Sequence, residues 1–314
     1  MKEYIIGKNE AGQRFDKYIF KLLKNAGTGL IFKQLRNKNI VLNGKKAKGN
    51  EILKENDSVR IFMSDDTINK FTGGPLHISK TGFRLDVIYE DDDILLASKP
   101  VGVLSQKSSD KDISMNEYLI EYLTDNGFGK ENLATFKPSF CNRLDRNTSG
   151  LMIAGKSLRG LQKMSEIIKD RSIHKFYLTI VKGIVDKKSV IKGYLRKDEK
   201  NNKVVIYDNP VKDSYEIHTE YEPLATKDDM TLLKVRLITG KTHQIRAHLA
   251  GISHPVLGDF KYGDKVFNEK YGEKKQLLHS YQVVLPKLDD FPDISEKSFN
   301  TPYPVNFTKY FKEN

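Results

Sequence analysis

The chain holds a single cysteine, Cys141, no tryptophan, and no apolar run approaching the roughly 18–20 residues of a membrane span. One cysteine excludes an intrachain disulfide framework and any cysteine-rich zinc site, and it suits a reducing cytoplasm. Without tryptophan, the aromatic bulk falls to 16 Phe and 15 Tyr. The opening stretch "MKEYIIGKNEAGQRF" lacks the pattern of a signal peptide, so a cytoplasmic protein free of the membrane is expected. No internal repeat or low-complexity tract stands out.

What is present is charge, unevenly placed. The 314 residues are 38% hydrophobic and 30% charged, enough apolar material for a sizeable core, and the length suggests two domains. Residues 1–64 carry fourteen Lys/Arg against six Asp/Glu, a net of +8 out of the chain's +12. A small basic front module ahead of a nearly balanced body points to a polyanionic partner held by the front.

Residues 13–25, "QRFDKYIFKLLKN", place Phe15, Tyr18, Ile19, Leu22 and Leu23 on one helical face, and 30–39 read as a second short helix. "IVLNGKKAK" reads as strand, Asn-Gly turn, strand, and "DSVRIFM" as another strand. The words "RFDKYI", "IVLNG" and "ENDSVRI" resemble, in order, those of the αL-type RNA-binding domain named for small-subunit ribosomal protein S4. The resemblance implies an S4-like RNA-binding domain over 1–64, with Arg14, Lys17, Lys33 and Arg36 among its RNA contacts. Residues 65–82, with a Gly-Gly-Pro and weak periodicity, read as a linker to a second domain over 83–314. There, strands are expected in "RLDVIYEDDDILLASKP", "KFYLTIVKGI", "KVVIY", "SYEIHTEYEPLA", "TLLKVRLIT" and "LLHSYQVVLP". Helices are expected in "MNEYLIEYLTDN", "LRGLQKMSEIIKD" and "THQIRAHLAG". Successive strands without intervening helices predict an α+β fold with a mixed, mainly antiparallel sheet.

"SGLMIAGKS" spells the G-x-x-x-x-G-K-S of phosphate-binding loops. Its four x positions are the apolar "LMIA", which suits a buried strand where the loop should be, and no nucleotide cofactor is expected. The six residues before Thr148 matter more. In "NRLDRN", Asp145 lies between Arg143 and Arg146, and guanidinium neighbours keep a carboxylate anionic at neutral pH, the form suited to a nucleophile or a base. The same pattern also suits an Asp that caps a turn or pairs on the surface. A second cluster, 238–263, packs Lys241, Thr242, His243, Gln244, Arg246, His248 and His254 into a short span. If Thr242 caps a helix, His243 and Arg246 lie one turn apart on one face. His243 and His248 have H-x4-H spacing with no acid between them, so no metal is expected. "HKFY" puts Lys175 and Tyr177 on one face of a strand.

Together "SKPVGVLSQ", "NRLDRNTSGLMIAGKS", "HKFYLTIVKG" and "GKTHQIRAHLAGISHPVLGDFKYG" are similar to the successive motifs of the RluA-type pseudouridine synthases, from about Phe83 nearly to the C-terminus. The resemblance implies an enzyme that isomerises uridine in RNA, with ribosomal RNA favoured and transfer RNA as the alternative. It makes Asp145 the catalytic carboxylate, Arg246 its ion-pair partner, Tyr177 the ring that stacks on the target uracil, and Arg143 the group that enters the RNA stack. Arg146, Lys175, Lys241 and His243 would contact RNA. The reaction needs no redox or group-transfer step, so no cofactor is implied, and the domain plan needs no partner chain, so a monomer is expected. Asn142 and Gln106 stand where many relatives have His, and Lys241 where Arg is usual, which bears on RNA preference. Two other readings are a non-catalytic RNA-binding or assembly factor on the same fold, and an RNA methyltransferase, for which no Gly-rich cofactor loop is found.

Overall fold

The computed structural model describes residues 1–73, 80–129, 133 and 135–312. The chain builds two sheets, each with its own core. In the first, β1 (Lys2–Ile5), β2 (Ile40–Leu42), β3 (Lys45–Lys46) and β4 (Ser58–Ile61) pair antiparallel in the order β1-β4-β2-β3. Asn43 and Gly44 both take positive φ, 50° and 72°, the backbone that a tight two-residue hairpin requires between β2 and β3. Helix α1 (Phe15–Leu22) turns Phe15, Tyr18, Ile19 and Leu22 inward at helical spacing, where they meet Ile31 and Leu35 of α2 (Thr28–Arg36) and Ile40, Val59 and Ile61 of the sheet.

Residues expected to begin the linker instead form α3 (Asp65–Thr72). Its ends are well specified: the Ser64 side chain accepts from Thr67 N, Asp65 and Asp66 lie in the first turn, and Gly73 closes it at φ 85°. Ile68 is wholly buried in the first core, so the small unit extends past residue 64. Residues 74–79 of the expected linker lie outside the described residues. At its far end, Thr81 N donates to Glu121 Oε2 at 2.9 Å, fastening the chain to the second unit.

The second sheet contains β5 (Asp86–Glu90), β6 (Ile94–Lys99), β7 (Ser139–Phe140), β8 (Ser149–Gly155), β9 (His174–Lys182) and β10 (Ser189–Asp198). It continues with β11 (Lys203–Tyr207), β12 (Tyr215–Lys227), β13 (Met230–Leu237), β14 (Leu278–Val284) and β15 (Ser298–Asn300). The order is β11-β10-β12-β13-β9-β14-β8-β6-β5, with β7 on β8 and β15 on β14. All its pairings are antiparallel except β8 with β14, so the sheet is mixed and mainly antiparallel.

Alternation along the strands splits the core in two. Leu95, Ala97, Met152, Ala154 and Tyr177 face α4 (Met115–Asp125) and α6 (Gln244–Gly251). Ile94, Leu96, Leu151 and Ile153 face the opposite way, onto Met164 and Ile167 of α5 (Leu158–Lys169). Leu178 and Ile180 pack with Phe267 of α7 (Lys265–Tyr271) and with Phe307. The phosphate-loop pattern dissolves into this arrangement. "LMIA" is the buried centre of β8, Ser157 caps α5 by accepting from Gly160 N, and Lys156 Nζ is engaged by Glu90 and the Asp91 carbonyl.

Candidate active site

Asp145 lies in the loop between β7 and β8, and the loop is fixed by its neighbours. Leu144 is pinned through both backbone groups: its N–H donates to Ser105 Oγ at 2.9 Å, and the hydroxyl donates back to its carbonyl at 2.7 Å. Thr148 N donates to the Asp145 carbonyl at 3.0 Å, and Gln276 donates to the buried Thr148 hydroxyl at 2.8 Å. Gly150, at φ 105°, lies against β14, where a Cβ would sit 2.1 Å from the Ser280 carbonyl oxygen. Only glycine fits there. Lys99 is wholly buried under the loop, its Nζ donating to the carbonyls of Pro100, Val103 and Arg146 at 2.9, 2.8 and 3.0 Å. Burial pushes the Lys99 ammonium down to about 7, against the pull of the Asp145 carboxylate.

The carboxylate itself is 24% exposed and meets a buried guanidinium: Arg246 Nη1 donates to Asp145 Oδ2 at 2.8 Å. Arg246 is in turn clamped by Asp259, with Nε to Oδ2 at 2.7 Å and Nη2 to Oδ1 at 2.8 Å. The Asp259 carboxylate is fully buried and also accepts from the backbone N–H groups of Lys261 and Tyr262. Burial opposes the charge on both members of the clamp. Their mutual hydrogen bonds and attraction outweigh it, holding Arg246 above its ordinary value and Asp259 below. A bidentate pair fixes the plane of the guanidinium, and so aims an Nη1–H at Asp145.

Helix α6 starts one residue later than Thr242 capping would require. His243 occupies the N-cap position with left-handed backbone, φ 55°, and its side chain makes no cap bond. His243 nevertheless faces the site, with Nε2 4.0 Å from Asp145 Oδ2 and Nδ1 2.9 Å from the Tyr262 hydroxyl. That hydroxyl accepts from Val204 N, and the Tyr262 ring lies 5.2 Å from the Arg246 guanidinium carbon. Burial pushes the His243 imidazole below its usual range, with the Asp145 carboxylate opposing and Arg246 adding to it.

Tyr177 is buried on β9 beside the site, paired in register with Ser280. Burial drives its phenol up to about 12, with the Ser280 hydroxyl lowering and the Asp145 charge raising it. Asp145, Arg246 and His243 are thus brought together, and Tyr177 lies in the adjoining core, near enough for the Asp145 charge to act on its phenol. Arg143 and Arg146 flank Asp145, both exposed, and Arg146 Nε is held by the Gly102 carbonyl at 3.0 Å. Lys175 and Lys241 lie one step outside, at the start of β9 and before α6. Arg14, Lys17, Lys33 and Arg36 belong to the small unit instead. Lys17, Lys33 and Arg36 are exposed there, while Arg14 donates twice to Asp16, at 3.1 and 2.7 Å. Asn142 stays at the base of the loop, accepting from Ile153 N at 2.8 Å.

Five contributors carry no assignment from the sequence: Lys99, Ser105, Asp259, Tyr262 and Gln276. Four fall inside quoted motif stretches, but nothing local says that Asp259 finds Arg246. Among the described residues, no helix is long and apolar enough to cross a membrane.

Comparison with known proteins places the chain in a family. The family profile described as RNA pseudouridylate synthase matches residues 93–251, which include Asp145, Tyr177 and Arg246. An uncharacterized RNA pseudouridine synthase of Mycoplasma genitalium is 31% identical over 94% of this chain and 93% of its own length. Ribosomal large subunit pseudouridine synthase C of Pasteurella multocida is 28% identical over 90% and 85%. Among solved structures, the human RNA pseudouridylate synthase domain containing 4 has a TM-score of 0.58 at 21% identity, covering 71% of this chain and 90% of that one. That likeness concerns the fold.

Proposed function

The chain belongs to the RNA pseudouridylate synthase family, and from that premise we propose that it isomerises uridine in large-subunit ribosomal RNA with Asp145 as the catalytic carboxylate. The single observation that supports this assignment is the aimed ion pair. A guanidinium locked by buried Asp259 holds Asp145 Oδ2 at 2.8 Å, and no hydrogen bond engages Oδ1 among the described residues. The ribosomal substrate rests on the relatives named for the large subunit.

Isomerisation breaks the N1–C1′ bond, turns the uracil, rejoins it through C5 and releases the C5 proton. A base in an RNA stem must first leave the stack, at a cost of a few kcal/mol. Stacking on the Tyr177 ring offsets about 1–3 kcal/mol of that, and Arg143 fills the space the base leaves. The free Oδ1 of Asp145 then either attacks C1′ or removes the C2′ proton to give a glycal. Arg246 holds the carboxylate in place through either route. The small basic unit is the S4-like RNA-binding domain that holds the substrate, Lys17, Lys33 and Arg36 facing its phosphates. The enzyme works as a cytoplasmic monomer.

The test uses ribosomal RNA labelled with tritium at uridine C5, taken from cells lacking this protein. Wild type should release tritium to water; Asp145→Asn should release none while binding RNA within several-fold of wild type. Turnover by that variant refutes the role of Asp145, and tight binding without release by wild type favours a binding factor.

A further inference from the structure

Beside the Asp145 site, the same two elements that supply Tyr177 and His243 build a second feature. Lys175 shares a face of β9 with Tyr177, two residues on. It is half-buried, no hydrogen bond or ion pair holds its ammonium among the described residues, and burial lowers its hold on the proton, with Arg171 adding like-charge repulsion. Gly240 makes room for it: a Cβ there would lie 3.3 Å from Nζ. Lys241 precedes His243 by two residues, and its turn is tied down because Gln244 Oε1 accepts from Lys241 N at 3.1 Å while Gln244 Nε2 donates to the His218 carbonyl at 3.0 Å. Lys241 Nζ lies 3.9 Å from the centre of the Tyr215 ring, which remains 58% exposed. Arg171, itself exposed, follows α5 with left-handed backbone, φ 67°.

Arg171, Tyr215 and Lys241 line an open cleft of about 210 Å³ with Glu216, His218 and Thr239. Glu216 is its one acid, and His218 Nε2 already lies 2.8 Å from it. Arg171 and Lys241 thus line the cleft, with Lys175 near enough to feel the charge of Arg171, next to an aromatic ring with an open surface; the one acid, Glu216, feels Arg171 but is hydrogen-bonded to His218. Cations so placed attract an anion, and an exposed ring offers a base its stacking partner. A nucleotide supplies both.

Resting on the RNA reading above, we propose that this cleft binds a nucleotide of the substrate strand flanking the target uridine. Its phosphate sits among Arg171, Lys175 and Lys241, and its base stacks on Tyr215. Stacking is tolerant of base identity, so the cleft grips the strand rather than reading it.

The chain has no tryptophan, so Tyr215→Trp introduces a single indole, excited apart from the tyrosines at longer wavelength, at an exposed position. The full-length variant is titrated with a dodecamer of oligouridylate while fluorescence anisotropy of an end-labelled copy reports binding separately. Quenching of the tryptophan that saturates with the anisotropy is expected. Arg171→Gln should lower the slope of log affinity against log salt by about 0.7, the share of one phosphate contact on a single strand. No binding, binding with unchanged emission, or an unchanged salt slope in Arg171→Gln each overturns the proposal. Tritium release is read independently: quenching by a protein that fails to isomerise uridine would overturn the enzymatic assignment and leave the cleft standing.

Discussion

Replacing Asp259 by Asn keeps the side chain's volume and removes the charge that clamps Arg246. In the wild type, Oδ1 accepts from Arg246 Nη2, Lys261 N and Tyr262 N, and Oδ2 accepts from Arg246 Nε. Asn can keep one set of acceptors, but its amide then points N–H against N–H at the guanidinium. Breaking a buried ion pair from one side costs about 3–5 kcal/mol. Because Asp145 still pairs with Arg246, the lower end applies, about 3 kcal/mol. In a domain of this size that corresponds to a Tm lower by about 6–12 °C. Arg246, no longer held in plane, also loses its aim at Asp145, and misplacement of a catalytic group by about 1 Å costs roughly a hundredfold in rate. Thermal unfolding and single-turnover tritium release under saturating RNA measure the two effects on one preparation. A variant within 2 °C of wild type and within threefold of its rate would refute the clamp as the source of Asp145's orientation.

Burial also makes stability depend on pH. His279 is buried between Ser149, at 2.8 Å from Nδ1, and Thr301, at 2.6 Å from Nε2, and desolvation lowers its imidazole to about 4. A depressed folded-state value means that the unfolded chain takes up the proton first. The contribution of the neutral ring is therefore complete above about pH 6.5 and is lost as pH falls toward 4, by about 3 kcal/mol at roughly 1.4 kcal/mol per unit. Unfolding free energies of wild type and His279→Gln, followed from pH 7 to 4, should diverge in slope; parallel curves would remove His279 as the cause. On the small unit, replacing Lys17, Lys33 and Arg36 together by Gln should lower the salt slope of ribosomal RNA binding by about 2, at about 0.7 per single-strand contact, with the fold intact. A slope equal to wild type would assign RNA binding elsewhere.

Where apolar spacing and local rules decide the structure, it was readable. The Phe15, Tyr18, Ile19, Leu22 stripe, the Asn43-Gly44 hairpin and the buried run of β8 follow from periods and turn chemistry. Elements lacking that contrast were not found. Strand β10, "SVIKGYLRKD", mixes polar residues on both faces, and β1 is a short edge strand. Helix α3 has good caps but only Ile68 fully buried, so its pattern reads as linker. Within the site, Asp145, Tyr177 and Arg246 stood out through their motif stretches. Asp259 needed the turn that carries residues 252–258 back under α6, and Lys99 is a lysine whose acceptors are all carbonyls, invisible until the loops close over it.

The position of β14 has a consequence for the order of events during synthesis. It lies between β9 and β8, so the two halves of the large sheet, β5-β6-β8 and β9-β13-β12-β10-β11, are joined only across a strand made of residues 278–284. At about 5–20 residues per second, β8 leaves the ribosome several seconds or more before its partner exists. During that interval its edge at Ser149 and Gly150 is unpaired, and Thr148 waits for Gln276. The Asp145 loop thus takes its final form only when residues 276–284 arrive. A nascent chain is silent toward RNA chemistry until then, and a message cut short before β14 yields two half-sheets with open edges, a substrate for aggregation rather than a weaker enzyme.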